Sequence, residues 1–154
     1  MSTAPKKEKI ILGIDPGTNV MGYGILKVVG HKLSLVSMGI VDMSKLKNQQ
    51  LKLNKIFESI TRISKNYLPD ECAIEAPFYG KNAQSMLKLG RAQGVAMAAV
   101  LNRGLPIEEY SPKKIKQSIT GNGNASKEQV AALLKQLVKY EGDPKFLDAT
   151  DALA

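Results

Sequence analysis

The chain has 154 residues, 44% of them hydrophobic, which is enough for one globular core and too few for two substantial domains. Lysine and arginine outnumber acids 22 to 14, giving a formal net charge of +8, so an anionic partner such as nucleic acid is favoured, although charge alone names no ligand. A single cysteine, Cys72, and a single histidine, His31, exclude a disulfide framework and a Cys- or His-based metal cluster, and fit a reducing cytoplasm.

The start, Met1 to Lys9, is polar and lysine-rich, and the apolar run Ile10 to Ile14 is too short for a signal-peptide core or a membrane span, so a soluble, cytoplasmic protein is expected. Lys9 to Asp15 (KIILGID) reads as a buried strand stopped by Pro16-Gly17, which leaves Asp15 at its end. Val20 to Val29 and Lys32 to Asp42 are strand-like and joined by the short Gly30-His31 turn, giving three strands in an antiparallel meander. From Asn48 to Asn66, Leu51, Leu53, Ile56, Ile60 and Ile63 follow helical spacing until Pro69. Glu71 to Ala76 is a fourth strand with Glu75 at its end, Lys81 to Asn102 a long helix, and Leu105 to Tyr110 a fifth strand. Ser111-Pro112 is a cap followed by proline at the first helical position, and Ser126 and Gln129 have capping-box spacing for a helix to about Lys139. Asp143-Pro144 precedes a last helical stretch. The expected fold is α/β: one mixed five-stranded sheet, its first three strands antiparallel, with helices on both faces.

Asp15 and Glu75 at strand ends, together with Asp148 and Asp151 in DATDALA, form the acidic set of greatest interest. Asp148 and Asp151 are three residues apart, so a helix projects both carboxylates from one face, and the alanines around them suit packing against the sheet. Grouped carboxylates repel one another unless a cation is present, and an oxygen-only ligand set suits Mg²⁺ or Mn²⁺ rather than zinc. A two-metal site of this kind hydrolyses phosphodiesters. Any one of these carboxylates taken alone reads more simply as a surface or capping group.

Four stretches carry a resemblance through most of the chain: IDPGTNVMGYG at 14 to 24, IEAPFYGKNAQSMLKLGRAQGV at 74 to 95, YSPKKIKQSITGNGNASKEQV at 110 to 130, and DATDALA at 148 to 154. In that order they resemble the RuvC family of Holliday-junction resolvases, which implies a ribonuclease H-like fold. The resemblance implies an endodeoxyribonuclease that resolves four-way DNA junctions by paired symmetric nicks in recombination and repair. It places the catalytic and metal-binding carboxylates at Asp15, Glu75, Asp148 and Asp151, with two Mg²⁺ ions expected once DNA is bound and Mn²⁺ as a substitute. It also implies that Phe78 stacks on an unpaired base, with Tyr79 and Lys81 beside it, and that Lys116 and Lys127 handle DNA. Lys127 lies in a helical first turn that already favours anions. Lys113, Lys114 and Lys135 read more simply as solvated surface and rank well below Lys116 and Lys127.

In the long helix, Gly90, Gly94 and Ala98 form a smooth stripe, which suits either packing on the sheet or the homodimer that the resemblance implies. The resemblance further implies a branch-migration helicase complex, RuvA and RuvB, as partner, and no membrane. Residues 1–154 are expected to form a single nuclease domain whose C-terminal helix is cut short. Other readings of the residues are a ribonuclease H-like nuclease with another nucleic-acid substrate, a non-catalytic junction-binding module, and an actin-like ATPase using Asp15-Pro16-Gly17-Thr18 as a phosphate turn. The ATPase would need a second Asp-x-Gly lobe, which the sequence lacks.

Overall fold

The computed structural model describes residues 7–76, 80, 82–126, 128 and 129. In chain order these form β1 (Glu8–Asp15), β2 (Val20–Val29), β3 (Lys32–Asp42), α1 (Gln49–Tyr67), β4 (Glu71–Glu75), α2 (Ala83–Asn102), β5 (Ile107–Tyr110) and α3 (Pro112–Thr120). The five strands make one sheet in the order β3-β2-β1-β4-β5. The pairs β3-β2 and β2-β1 are antiparallel, whereas β1-β4 and β4-β5 are parallel, so the expected mixed sheet is borne out.

The meander closes where the sequence says it should. Val29 pairs with Lys32 across Gly30-His31, and Gly30 takes φ 62°, the positive dihedral that the first central residue of a II′ hairpin turn requires. Asn48 caps α1, its side chain accepting from the Leu51 amide at 2.9 Å. The helix ends without glycine: Leu68 itself adopts the left-handed conformation (φ 48°, ψ 57°) and donates its N–H to the Ser64 carbonyl, with Pro69 preventing continuation. Asp70 then ties the start of β4 to β1, accepting from the Ile10 amide at 2.8 Å and donating its own N–H to the Ile10 carbonyl.

Two boundaries differ from expectation by two residues, and the ends of β1, α1 and β4 differ by no more than one. The helix α2 opens at Ala83 rather than Lys81, because Asn82 takes the cap position and accepts from the Ser85 amide. The strand β5 opens at Ile107 rather than Leu105, because Leu105 still donates to the Val100 carbonyl at the helix end and Pro106 has no N–H for the ladder.

The core lies between α1, α2 and one face of the sheet. Leu12, Ile14, Met21, Ile25, Cys72 and Ile74 meet Ile56, Ile60 and Ile63 of α1 and Ala92, Ala96, Ala99 and Val100 of α2. Alanines on the inner side of α2 let that helix lie close to the sheet. Burial of Cys72 among these apolar groups pushes its thiol pKa up to about 12. Among the described residues no helix is long and apolar enough to cross a membrane.

Candidate active site

Ile14 and Ile74 are partners in the parallel β1-β4 ladder, so the residues that follow them, Asp15 and Glu75, end adjacent strands side by side. Neighbouring strands run about 4.8 Å apart, and side chains alternate between faces. Since Leu12, Ile14, Cys72 and Ile74 point into the core beneath α1 and α2, Asp15 and Glu75 project from the opposite face of the sheet. Both are half-buried. Across the antiparallel pair Asp15 faces Gly22, and Gly13 lies between Gly24 and Ala73, so the floor beside the two carboxylates is built of the smallest residues. The chain leaving Asp15 must turn sharply, and Gly17 permits it: a Cβ there would overlap the Val20 carbonyl oxygen.

Two neighbours escape notice in the sequence. Gln93 of α2 is 7% exposed, and its Nε2 donates to the Glu75 carbonyl at 3.3 Å, linking the core helix to the strand end that carries the carboxylate. Tyr110 is the β5 partner of Glu75 and therefore flanks it on the same face, and the Ala76 amide donates to the Tyr110 carbonyl at 2.9 Å. The Lys114 ammonium stands 5.9 Å from the centre of the Tyr110 ring, within cation–π range, which brings a positive charge to the Glu75 side of the sheet. Neither role is visible without the strand register and the rotation of α2. The only earlier hint is that both residues fall inside stretches that carry the family resemblance.

The donor chemistry here fits a hard divalent cation: two half-buried carboxylates share one sheet face at adjacent strand ends. Among the described residues no third carboxylate, histidine or cysteine joins them to complete a metal-binding group. Asp148 and Asp151, the other two expected ligands, lie outside the described residues, as do Phe78, Tyr79, Lys81 and Lys127.

Lys116 is half-buried on α3, a helix opened by Ser111, whose hydroxyl accepts from the Lys114 amide at 3.1 Å, and by Pro112 at its first position. No residue of α3 is fully buried among the described residues. Gly121 ends the helix in the left-handed conformation, and the loop beyond it folds back on α3, where a Cβ on Gly123 would stand 2.7 Å from Lys113 Cγ. The capping box is present: the Gln129 amide donates to the Ser126 hydroxyl at 3.1 Å while Gln129 Oε1 accepts from the Ser126 amide at 2.9 Å.

The stripe on α2 faces away from the core. Ala92, Ala96, Ala99 and Val100 meet the sheet, whereas Gly90, Gly94 and Ala98 are exposed, and among the described residues a Cβ on Gly90 or Gly94 meets nothing within 4 Å. Leu87 and Leu101 extend the stripe at 63% and 57% exposure. Sheet packing therefore does not account for these glycines.

Comparison with known proteins agrees with this arrangement. The profile of the family described as crossover junction endodeoxyribonuclease RuvC matches residues 11–154. The chain is 62% identical over 152 residues to the crossover junction endodeoxyribonuclease RuvC of Bacteroides fragilis, covering 97% of this chain and 81% of that protein. It is 60% identical over 146 residues to the RuvC of Cytophaga hutchinsonii, covering 95% and 73% respectively. Among solved structures, Thermus thermophilus RuvC in complex with a Holliday junction superposes with a TM-score of 0.83 at 26% identity, over 94% of this chain and 90% of that one. The yeast mitochondrial resolvase Ydc2 shares the fold at a TM-score of 0.67 and 14% identity, over 99% of this chain and 78% of that one. The chain belongs to the RuvC family of crossover junction endodeoxyribonucleases.

Proposed function

We propose that this protein is a structure-selective endonuclease that resolves four-way DNA junctions by paired, symmetric, Mg²⁺-dependent nicks during recombination and repair. The observation that carries this reading is the placement of Asp15 and Glu75 on one face of adjacent parallel strand ends, in a chain of the RuvC family. Asp15, Glu75, Asp148 and Asp151 would hold the metal, with Mn²⁺ able to replace Mg²⁺. A bound divalent cation supplies charge to the phosphodiester oxygens and lowers the pKa of the attacking water.

The protein's own groups do the rest. Asp15 and Glu75 fix the oxygen donors on a rigid sheet, and the small floor of Gly13, Gly22 and Ala73 leaves room for a backbone to approach. Phe78, Tyr79 and Lys81 engage unpaired bases and backbone near the crossover, and Lys116 and Lys127 contact phosphates. The outward face of α2, with its open glycines between exposed leucines, meets the same face of a second copy, and a twofold dimer sets two active sites against the two strands to be cut. RuvA and RuvB complete the assembly by family resemblance. Residues 1–154 form one nuclease domain of each subunit, and the dimer acts in the cytoplasm.

The test is incubation with a labelled mobile four-way junction and with linear duplex of the same sequence, each with Mg²⁺ and with chelator. Symmetric, metal-dependent nicks in the junction alone are expected. Equal cutting of both DNAs would overturn junction selectivity, and binding without cutting would overturn the catalytic assignment.

A further inference from the structure

On the core-helix side of the loop that follows Asp15, a cavity of about 300 Å³ opens between that loop, the start of α1 and the middle of α2. Three cations, Lys47, Lys52 and Lys88, line it together with Thr18, Asn19 and Asn48, and no carboxylate is part of the lining. Among the described residues the ion pairs are Lys9–Glu71 and Lys27–Glu8, so the three lysines keep their charge unneutralised by any carboxylate partner there. One of them is already fixed: Lys52 Nζ donates to Asn19 Oδ1 at 2.7 Å, which joins α1 to the loop four residues after Asp15. A fourth cation, Arg91, bonds from its Nη1 at 2.8 Å to Oε1 of Gln49, which is itself part of the lining.

Concentrating like charges is unfavourable unless an anion relieves it, and the lining offers amide and hydroxyl groups beside the ammonium groups. The volume is at the low end for ligand pockets, and the lining sets three ammonium groups beside the apolar Leu53, Ile56 and Ala92, so a phosphate with its attached sugar is the natural occupant. We infer that this pocket takes a backbone phosphate of the DNA at a site separate from the scissile phosphate, clamping the strand against the loop that follows Asp15. The two sites share the carboxyl-terminal edge of β1 but lie on opposite faces of the sheet, so an occupied pocket holds the DNA across that edge. The inference rests on the proposed action on DNA and adds a phosphate-binding site to it.

The test compares the wild-type protein with the double variant Lys47→Gln/Lys88→Gln, leaving Lys52 and its bond to Asn19 in place. Junction affinity is measured in chelator from 50 to 200 mM salt. A second double variant, Lys32→Gln/Lys65→Gln, removes the same charge elsewhere. If the pocket binds phosphate, the slope of log affinity against log salt flattens by about 0.9 for each phosphate that the protein ceases to neutralise. In the pocket variant alone, one phosphate fewer makes affinity about 3.5-fold less sensitive to this salt range. A slope equal to that of the control variant would overturn the inference while leaving the proposed function intact. A wild-type protein that binds no junction at any salt would overturn both. Calorimetry with inorganic pyrophosphate separates the sources of the anion. Pyrophosphate binding that the variant loses, with no change in the junction slope, would make this a free-anion site and overturn the DNA assignment.

Discussion

Replacing Gln93 with leucine keeps most of its volume and removes the donor that reaches the Glu75 carbonyl at 3.3 Å. That distance is slightly beyond the usual range for an N–H···O bond, so the loss of stability should be at the modest end, about 0.5–1.5 kcal/mol. For a chain of this size such a change lowers Tm by roughly 1–6 °C. The effect on catalysis should be much larger than the effect on folding, because a carboxylate ligand displaced by roughly 1 Å can reduce the rate on the order of 100-fold. Single-turnover cleavage of a four-way junction across a Mg²⁺ titration separates the two. The expected result is a slower maximal rate and a higher half-saturating Mg²⁺ concentration, with junction affinity in chelator unchanged. Ala96→Gly, on the same buried side of α2 and destabilising by about 1 kcal/mol through helix propensity, is the matched control and should leave the Mg²⁺ dependence alone. If the two variants lose activity only in proportion to their lost stability, Gln93 is a packing residue and has no positioning role.

Other perturbations probe separate parts of the molecule. Asp15→Asn and Glu75→Gln should abolish cleavage while junction affinity in a gel-shift assay stays equal or rises, since each removes negative charge near phosphate; matching losses of binding and cleavage would contradict their assignment as metal ligands. Gly94→Arg projects into open space and adds no strain within the helix, so circular dichroism should stay helical while light scattering shows a monomer in place of a dimer; a persisting dimer would place the interface elsewhere. Cys72 is 2% exposed with its pKa raised to about 12, so the fold favours the protonated thiol. That contribution is fully present below the unfolded value near 9.0 and is lost as pH rises towards 12, so denaturant midpoints should fall across that window, and more steeply than in Cys72→Ala.

Local signals in the sequence were sufficient for most of the framework. The strand-like segments and the Gly30-His31 turn specified β2 and β3 to the residue, and Ser111-Pro112 and Ser126-Gln129 marked caps, because caps and tight turns depend on neighbours a few positions away. The end of α1 was less legible, since Leu68 adopts a backbone conformation for which glycine is the usual signal. The start of β5 was misplaced because an apolar pair before a strand, Leu105-Pro106, completes the preceding turn. At the site, the strand ends announced Asp15 and Glu75, but Gln93 and Tyr110 acquire their places only from helix rotation and parallel register. The lysine pocket is built from Thr18–Asn19, Lys47–Lys52 and Lys88, which are separated widely in the chain, so no local window contains it. The direction of the Gly90–Gly94–Ala98 stripe had two readings in sequence, and the buried alanines on the opposite side of α2 remove the sheet-packing one.

The two faces of the central strands divide stability from chemistry. In β1, Leu12 and Ile14 are buried in the core while Gly13 and Asp15 occupy the other face, and in β4 Cys72 and Ile74 stand against Ala73 and Glu75 in the same way. Because the side-chain period of a strand is two, a single-residue slip of β1 or β4 would move that strand's carboxylate into the core and its isoleucine out of it. Burying an unpaired carboxylate is so costly that the hydrophobic pattern effectively fixes the register, and with it the pairing of Asp15 and Glu75. The core of this fold therefore sets the spacing of the two carboxylates, and substitutions at Ile14 or Ile74 should be read for their effect on metal dependence as well as on Tm.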